Sequence, residues 1–471
     1  MDCRREFQQA GKMGNAKSHS SPKTRSRFLP EEQAEVDRLF DALTANKGGS
    51  ASGTFSLEAL KSHVKEDLPQ AMVTRLYNGM WRVKATQKAH GNQGSQGNVS
   101  REQFTEFLSH LLKGSFEEKG HMVIQMLSAT ESTVKARDIQ KFAEDLVASL
   151  VHVLIHWPEL RGWTWKKSTV CPESMQAMAA QLLSEMKFQD GHKFLGPQSL
   201  DQVCDQAMIQ DWVFHVPHVG MFLSVVVHRG LRLLSSSFDL STLVPECHVD
   251  RGRPFESILD VLAVIYLNSH LEAEHRRVWR LLFSTQLHGQ SFSQLCSRIT
   301  HQGPCLLVLQ DKDGCVFGGF ASCSWEVKPQ FQGDSKCFLF SVLPSMATYM
   351  HTGYNDHFMY LNQGQQTMPN GLGMGGQHHY FGLWVAADFG KGHSKAKPAC
   401  TTYNSPQLSA QEEFQFDKME VWGLGNLSET HLAKNKKSIL DSNPEAQIML
   451  EASGRTRHSE GLREIHDDGD D

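Results

Sequence analysis

The sequence predicts an α+β protein in which a helical region comes first, a β-rich domain second and a charged tail last. Apolar residues recur at helical spacing after Pro30, as Val36, Leu39 and Leu43 illustrate. From about residue 219, short apolar runs alternate with turn residues, a pattern typical of strands. After residue 427, apolar residues become sparse and charged residues cluster. These three changes along the chain predict the order of the domains.

Composition narrows the class of protein. The chain has 471 residues, of which 40% are apolar and 21% charged, as in ordinary globular proteins. Lys and Arg number 47 against 52 Asp and Glu, so a chain built mainly to hold nucleic acid is not expected. The apolar runs are shorter than the roughly 18 residues of a membrane span, and the N-terminus lacks the apolar core of a secretion signal. Together with ten Cys in no regular framework, these features predict a soluble protein of a reducing compartment.

Residues 1–30 form a basic arm that contains a lipidation motif. Met13-Gly14-Asn15-Ala16-Lys17-Ser18 fits M-G-x-x-x-[ST], the acceptor for N-myristoylation, provided that translation begins at Met13. A single myristoyl chain holds a protein on a membrane only marginally, so nearby cations matter. The arm therefore predicts binding to an anionic membrane surface, although a chance hexapeptide in a disordered arm remains the alternative. The cations that would form this patch are Lys17, Lys23, Arg25 and Arg27.

Residues 31–218 predict a helical region that resembles a degenerate EF-hand pair. A helix starts at Pro30, and Gly/Ser-rich loops at 46–53 and 91–97 are each followed by a new helix. A helical pattern continues through residues 120–155 and 173–187. A calcium loop needs carboxylates at set positions, and neither loop has one there. Calcium binding is therefore not expected. The residues at loop positions 1, 3, 5 and 12 are Asn92, Gly94, Gln96 and Gln103 in one loop, and Gly48, Ser50, Ser52 and Ala59 in the other.

Residues 219–426 predict a β domain. Cys305–Gln310 and Cys315–Trp325 form a hairpin around the turn 311–314, and a helix carries Phe292, Leu295 and Ile299. Residues 371–376 spell G-x-G-x-x-G, but they lack a preceding strand and a following helix, so a tight loop is expected and not a nucleotide site. The further predicted strands are Cys337–Leu343, His357–Leu361, Tyr380–Phe389 and Phe414–Val421.

The motifs of common enzymes do not occur. The closely spaced His and Cys sets at 215–218, 247–248 and 378–379 lack metal-site spacing, so no metal or cofactor is expected. The chain has no G-x-S-x-G and no set of kinase motifs. Cysteines among the strands are usually small core residues. A single reactive Cys leaves no spacing signature, so a redox enzyme or thiol scavenger remains an alternative.

Several ordered blocks between Ser241 and Gly425 resemble the TLDc domain family. The blocks are Trp279–Ser284, Gly303–Val308, Val316–Phe320, Gly371–Gly376, Ala387–Phe389 and Glu420–Gly423. This resemblance implies a two-sheet β-sandwich flanked by helices, with binding to the vacuolar proton pump (V-ATPase), a role in resistance to oxidative stress and no agreed catalytic residues. With its arm and helical half, the whole chain resembles the myristoylated members of the family that associate with the mTOR signalling complex at lysosomes. The resemblance therefore implies a non-enzymatic interaction protein on the cytoplasmic face of the lysosomal membrane and in the cytoplasm, where it regulates the pump.

Residues 427–471 form a charged tail that is either disordered or a partner-binding helix. Asn443-Pro444 is typical of a helix start, with Asn as the cap and Pro at the first helical position. The apolar residues that follow are too few for a core, so a helix here would order on a partner. These residues are Ile448, Met449, Leu450, Leu462 and Ile465.

Overall fold

A computed structural model describes residues 27–45, 53–83, 97–127, 133–155, 161–165, 171–188, 199–233, 243–249 and 255–425. It shows a helical region followed by a large, mainly antiparallel β region, so the α+β class is confirmed. The first helix begins at Pro30, as its sequence predicts. In the helical region the helices are α1 Pro30–Ala45, α2 Leu57–Val64, α3 Gln70–Arg82, α4 Arg101–Lys113, α5 Phe116–Leu127, α6 Ala136–Ile155, α7 Pro172–Ser184, α8 Gln206–His215 and α9 Pro217–Gly230.

Short strands join the helices into pairs. Strand β1 (Thr54–Phe55) pairs antiparallel with β2 (Val99–Ser100), and β3 (Thr133–Lys135) pairs antiparallel with β4 (Val203–Asp205). A helix follows each of these strands at once. The start of α4 shows why: Ser100 Oγ accepts from Gln103 N–H at 3.3 Å, and Gln103 Oε1 accepts from Ser100 N–H at 3.0 Å, a capping box. The described residues thus contain two pairs of helix–strand units.

The β region is one hydrogen-bonded array of twelve strands, and its longest strand connects the two halves of the array. Strand β16 (Glu413–Leu424) pairs through Glu413–Gln415 with β15 and through its later residues with β7 and β6. It therefore belongs to both halves of the array. The other strands are β5 Glu246–His248, β6 Val278–Ser284, β7 Cys305–Asp311, β8 Val316–Ala321, β9 Lys328–Gln332, β10 Phe338–Leu343, β11 Ala347–Met350, β12 Met359–Asn362, β13 Gly371–Gln377, β14 Tyr380–Ala386 and β15 Lys391–His393.

The two faces of strand β7 are buried in different cores. Leu307 and Leu309 join the core between the two halves of the strand array. Leu306 and Val308 join the core that also contains residues of the helices. Because successive side chains of a strand point to opposite faces, this alternation places the helical layer on one side of the sheet and the second half of the array on the other.

Three expectations about local structure were wrong. Residues 217–230 form helix α9, and α10 (Val261–His270) follows, so strands do not begin at 219. Apolar runs of this length fit a buried helix as well as a strand, and both helices are deeply buried. The helical pattern across 120–155 is interrupted by β3. Finally, residues 371–376 belong to strand β13 and not to a tight loop.

The glycines of β13 explain the third difference. A Cβ on Gly373 would lie 2.6 Å from the ring of Phe381, and one on Gly371 would lie 2.4 Å from the ring of Trp384. The missing side chains therefore make room for aromatic residues of the neighbouring strand β14. The high glycine content of this segment reflects close packing inside a sheet and not a turn.

The hairpin and its neighbours agree with expectation, with shorter ends. The turn between β7 and β8 is closed by Asp311 Oδ1, which accepts from Cys315 N–H at 2.8 Å. Strand β8 ends at Ala321 and β14 ends at Ala386, earlier than predicted. Helix α12 (Phe292–Ile299) buries Phe292, Leu295 and Ile299 as predicted; the short helix α11 (Thr285–His288) precedes it. Across the described ranges, we find no helix with the length and apolarity needed to cross a membrane.

Candidate functional site

Arg27 is the basic-patch residue that the structure describes. Its guanidinium forms a two-pronged ion pair with Glu118, at the start of α5. This contact lowers the pKa of the Glu118 carboxyl to about 2. Arg27 therefore fixes the point at which the arm meets the helical region. The other predicted site residues lie outside the described residues: Gly14, Lys17, Lys23, Arg25, Ile448, Met449, Leu450, Leu462 and Ile465.

An aromatic cluster joins the helical side of the molecule to the sheet. Trp279 on β6 and Trp422 on β16 are fully buried, with ring centroids 6.3 Å apart. Trp163 packs on both, at 5.9 and 4.9 Å, and its Nε1 donates to the carbonyl of Pro245 at 2.9 Å. Trp165 stacks on Trp163 at 4.9 Å. Trp422 is thus buried where the helical side of the molecule meets the sheet.

A buried carboxyl group organises this junction. Glu420 Oε1 accepts from Ile258 N–H at 2.6 Å, and Oε2 accepts from Ser257 Oγ at 2.8 Å and from Trp422 Nε1 at 3.0 Å. These bonds tie the segment before α10 to the closing strand β16. Burial raises the pKa of Glu420 to about 7, because removing the carboxylate from water costs more than the three hydrogen bonds return.

A cavity of about 450 Å³ opens beside Glu420, between the helical side and the sheet. Asp260 lines it and caps α10, where its Oδ1 accepts from Ala263 N–H at 2.8 Å. Burial raises the pKa of Asp260 as well. Burial thus disfavours the charged form of both carboxyl groups. Its further polar lining includes Cys171, Ser174, Gln286 and Lys418.

The chemistry of this cavity favours a structural role. Ser257 Oγ donates to Glu420 but also accepts from Leu259 N–H at 3.1 Å, so the hydroxyl is held in a local turn. Nucleophilic catalysis needs an activated nucleophile and donors aimed at the developing charge. Burial raises the pKa of Cys171, the thiol at the cavity. Glu420 thus acts as a hydrogen-bond acceptor that holds the segment before α10 against strand β16.

The thiols and the acidic clusters give no support to redox or metal chemistry among the described residues. Burial raises the pKa of every described cysteine, to about 12 for Cys247, Cys296 and Cys305. A raised pKa leaves less thiolate, which is the reactive form. Glu272, Glu274 and His275 lie close enough for a metal ion, but Glu272 is already paired with Lys336 at 3.0 Å, and both glutamates are exposed.

Two features of the junction escaped sequence reasoning. Trp163 belongs to a stretch with no strong pattern, and only tertiary contact shows its partners. Glu420 did carry a signal: it interrupts the apolar run Met419-Glu420-Val421-Trp422 in a strand. A charged residue within such a run is rarely buried without partners, so the interruption could have marked it as a site residue.

Comparison with known proteins agrees with the architecture. The model of the TLDc domain matches residues 255–425, from the segment before α10 to the end of β16. Nuclear receptor coactivator 7 of Homo sapiens is 31% identical over 179 residues, which are 36% of this chain and 18% of that protein. The strand array and this match define a TLDc-domain protein.

Relatives of full length specify the family further. MTOR-associated protein MEAK7 of Mus musculus is 77% identical over 458 residues, which cover 97% of this chain and 100% of that protein. The protein of the same name in Homo sapiens is 66% identical over 458 residues, with the same coverage. The chain belongs to the family of MTOR-associated protein MEAK7.

Proposed function

We propose that the chain is a non-enzymatic, lipid-tethered interaction protein of the lysosomal membrane that binds and regulates the V-ATPase and supports mTOR signalling. The observation that carries this proposal is the full-length similarity to relatives named for association with mTOR, at 77% and 66% identity. The pump is the partner that the TLDc resemblance implies. Oxidative-stress protection then follows from regulation of a membrane complex and needs no catalytic residue in this chain.

The interior of the TLDc region supports an interaction role. Its buried carboxyl, Glu420, is held by three donors, and its thiols have raised pKa values. A buried, hydrogen-bonded carboxyl and buried thiols of this kind make the domain rigid and do not supply an activated catalytic group. A rigid strand array with a helical layer against it offers extended outer surfaces for a large partner.

The two ends of the chain supply the membrane tether and a second contact. Gly14 carries myristate when translation starts at Met13, and Lys17, Lys23 and Arg25 strengthen binding to anionic lipids. The tail supplies Ile448, Met449 and Leu450 to a groove on the partner.

The helical region acts as a scaffold descended from EF-hands that no longer bind calcium. Two observations support this proposal: strands β1 and β2 pair between helices, and the loop positions taken from the sequence lack carboxylates. Titration calorimetry with calcium on the full chain should therefore show no binding heat, with calmodulin run beside it as a positive control. Stoichiometric binding with an accompanying structural change would favour a calcium-switched adaptor.

Affinity purification tests the proposal directly. The chain beginning at Met13 is expressed in cells and purified in reducing buffer, and mass spectrometry identifies the proteins that accompany it. We expect V-ATPase subunits and mTOR, with less of both for Gly14→Ala, which replaces the glycine that the myristoylation motif requires. Absence of the pump and of mTOR from the wild-type eluate would refute the proposal.

A redox enzyme or thiol scavenger is the competing function. Thiol titration of the native protein, combined with total-metal analysis, separates the two. Slow, uniform reaction of the cysteines and no stoichiometric metal agree with an interaction protein. One fast-reacting thiol or one bound metal per chain would favour the enzyme.

A further inference from the structure

Two phenylalanines on the helical region are exposed where a soluble surface would normally be polar. Phe116, at the start of α5, is 45% exposed, and Phe214, near the end of α8, is 55% exposed. Their rings contact each other edge to face, with centroids 5.3 Å apart. The exposed apolar area is therefore one continuous patch, which we call the Phe116–Phe214 pair.

The backbone beneath the pair is rigid. Helices α5 and α8 cross closely at Gly120, where a Cβ would lie 2.9 Å from the side chain of Gln210. Gln210 Nε2 also donates to the carbonyl of Glu117 at 3.3 Å. The pair is thus presented by two packed helices and not by a loose loop, so its exposure is a fixed property of the surface.

The basic arm joins the helical region next to this pair. Arg27 binds Glu118, which is two residues from Phe116 on the same helix. Leu29, two residues after Arg27, is itself 66% exposed. The 26 residues before Arg27, with Lys17, Lys23, Arg25 and the Gly14 acceptor, therefore start from this corner of the molecule.

We propose that the Phe116–Phe214 pair is a membrane-contact surface that inserts into the headgroup region of an anionic bilayer beside the basic arm. The proposal rests on the proposed tether and deepens it, because it states which face of the protein meets the lipid. Aromatic side chains with one apolar face are typical of the interfacial zone of a bilayer.

The charges around the pair indicate that the arm, and not the surface beside the two rings, supplies the attraction to anionic lipids. Arg27 compensates Glu118, and His215 lies 3.2 Å from Asp211. Glu117, exposed beside Phe116, would be repelled by anionic lipids. The pair therefore adds apolar affinity only once the cations of the arm have brought the surface close.

The size of the effect follows from the exposed area. The two rings, each about half exposed, together offer the apolar area of about one Phe side chain. Insertion of the two rings to the level of the headgroups removes part of this apolar area from water. Loss of both rings should therefore weaken vesicle binding about tenfold, since about 1.4 kcal/mol corresponds to one decade.

The test uses the full chain from Met13, myristoylated by a co-expressed transferase, with vesicles of phosphatidylcholine and phosphatidylserine in equal parts. Flotation compares the wild type, Phe116→Ser with Phe214→Ser, Gly14→Ala, and a matched control, Met350→Ser with Tyr354→Ser, which removes two exposed apolar side chains from the β region. We expect about tenfold weaker binding for the Phe variant and no change for the control. Equal binding of the Phe variant and wild type would overturn the membrane-contact surface while leaving the lipid tether standing.

A second measurement does not depend on how the Phe variant folds. Benzoylphenylalanine placed at Phe116 should crosslink to lipid on illumination, whereas the same group at Tyr354 should not. Lipid crosslinks equal at both positions would overturn the proposal.

The remaining outcomes distinguish a failure of the membrane-contact surface from a failure of the lipid tether. Residual binding of Gly14→Ala that falls further on removal of both phenylalanines would support the surface even if the lipid proves dispensable. Failure of the myristoylated wild type to float would refute both. Light scattering checks a second occupant: if Phe116→Ser with Phe214→Ser changes a dimer to a monomer and leaves flotation unchanged, the pair is a contact between copies of the chain and the membrane proposal is wrong.

Discussion

Glu420 makes the stability of the protein depend on pH in a way that one substitution can isolate. Burial raises the pKa of this carboxyl from 4.5 to about 7 in the folded protein. The folded state therefore favours the protonated form. The stability that this preference for the protonated form contributes is fully present below pH 4.5. It is lost as the pH rises through about 7. The rise in pKa corresponds to about 3 kcal/mol, at about 1.4 kcal/mol per pKa step.

Glu420→Gln removes this titration and has a cost of its own that does not vary with pH. The Gln amide keeps one oxygen acceptor but places an NH₂ group against a donor. Either Ile258 N–H or Trp422 Nε1 then loses its partner, which costs about 1–3 kcal/mol. The wild type should therefore be the more stable protein at pH 4.5, and the difference between the two should shrink by about 3 kcal/mol by pH 8.

Denaturant unfolding of both proteins across this range measures the difference. His218 and His393, whose pKa values burial lowers to about 4, also titrate, but they are present in both proteins and cancel in the comparison. Glu102→Gln, at an exposed position, serves as a control for the removal of one carboxyl group. A stability difference between wild type and Glu420→Gln that stays constant from pH 4.5 to 8 would show that the reasoning about Glu420 is wrong.

Three further outcomes are expected. Trp422→Ala empties the centre of the aromatic cluster and should cost roughly 3–5 kcal/mol, lowering the melting temperature; an unchanged melting temperature with lost partner binding would instead make Trp422 a contact residue. Gly373→Ala drives a methyl group to 2.6 Å from Phe381 and should cost about 1–3 kcal/mol in calorimetry; unaltered stability would contradict the close packing of β13. Deletion of 441–471 should leave the melting temperature unchanged and reduce co-purification of the pump, and undiminished co-purification would remove the tail from the interaction.

Local patterns were sufficient for elements that carry their own signals. Pro30 and the apolar spacing after it fixed α1, and the turn at 311–314 fixed the β7–β8 hairpin. Motifs in order along the chain indicated the TLDc region, which the family match at 255–425 confirms. Such signals are reliable because caps, turns and periodicity act within a few residues.

Elements with ambiguous patterns needed tertiary contacts. The apolar run of α9 fits a strand or a buried helix equally well from sequence, and packing against the rest of the helical core decides for the helix. The glycines of β13 suggest a turn until the rings of Phe381 and Trp384 are seen to need the space.

The junction itself was decided only by the fold. Glu420, Ile258 and Trp163 come from three distant segments, and none of them predicts the others in sequence. The pKa shift of Glu420, its hydrogen bond from Ile258 N–H and the ring contacts of Trp163 arise because the packed layers exclude water from Glu420. The sequence thus determined the class of the protein and the order of its helical and β regions, and it predicts a basic arm at residues 1–30. Which carboxyl is buried, and which phenylalanines stay exposed beside that arm, depend on long-range packing, because burial is a property of the assembled layers and not of any one segment.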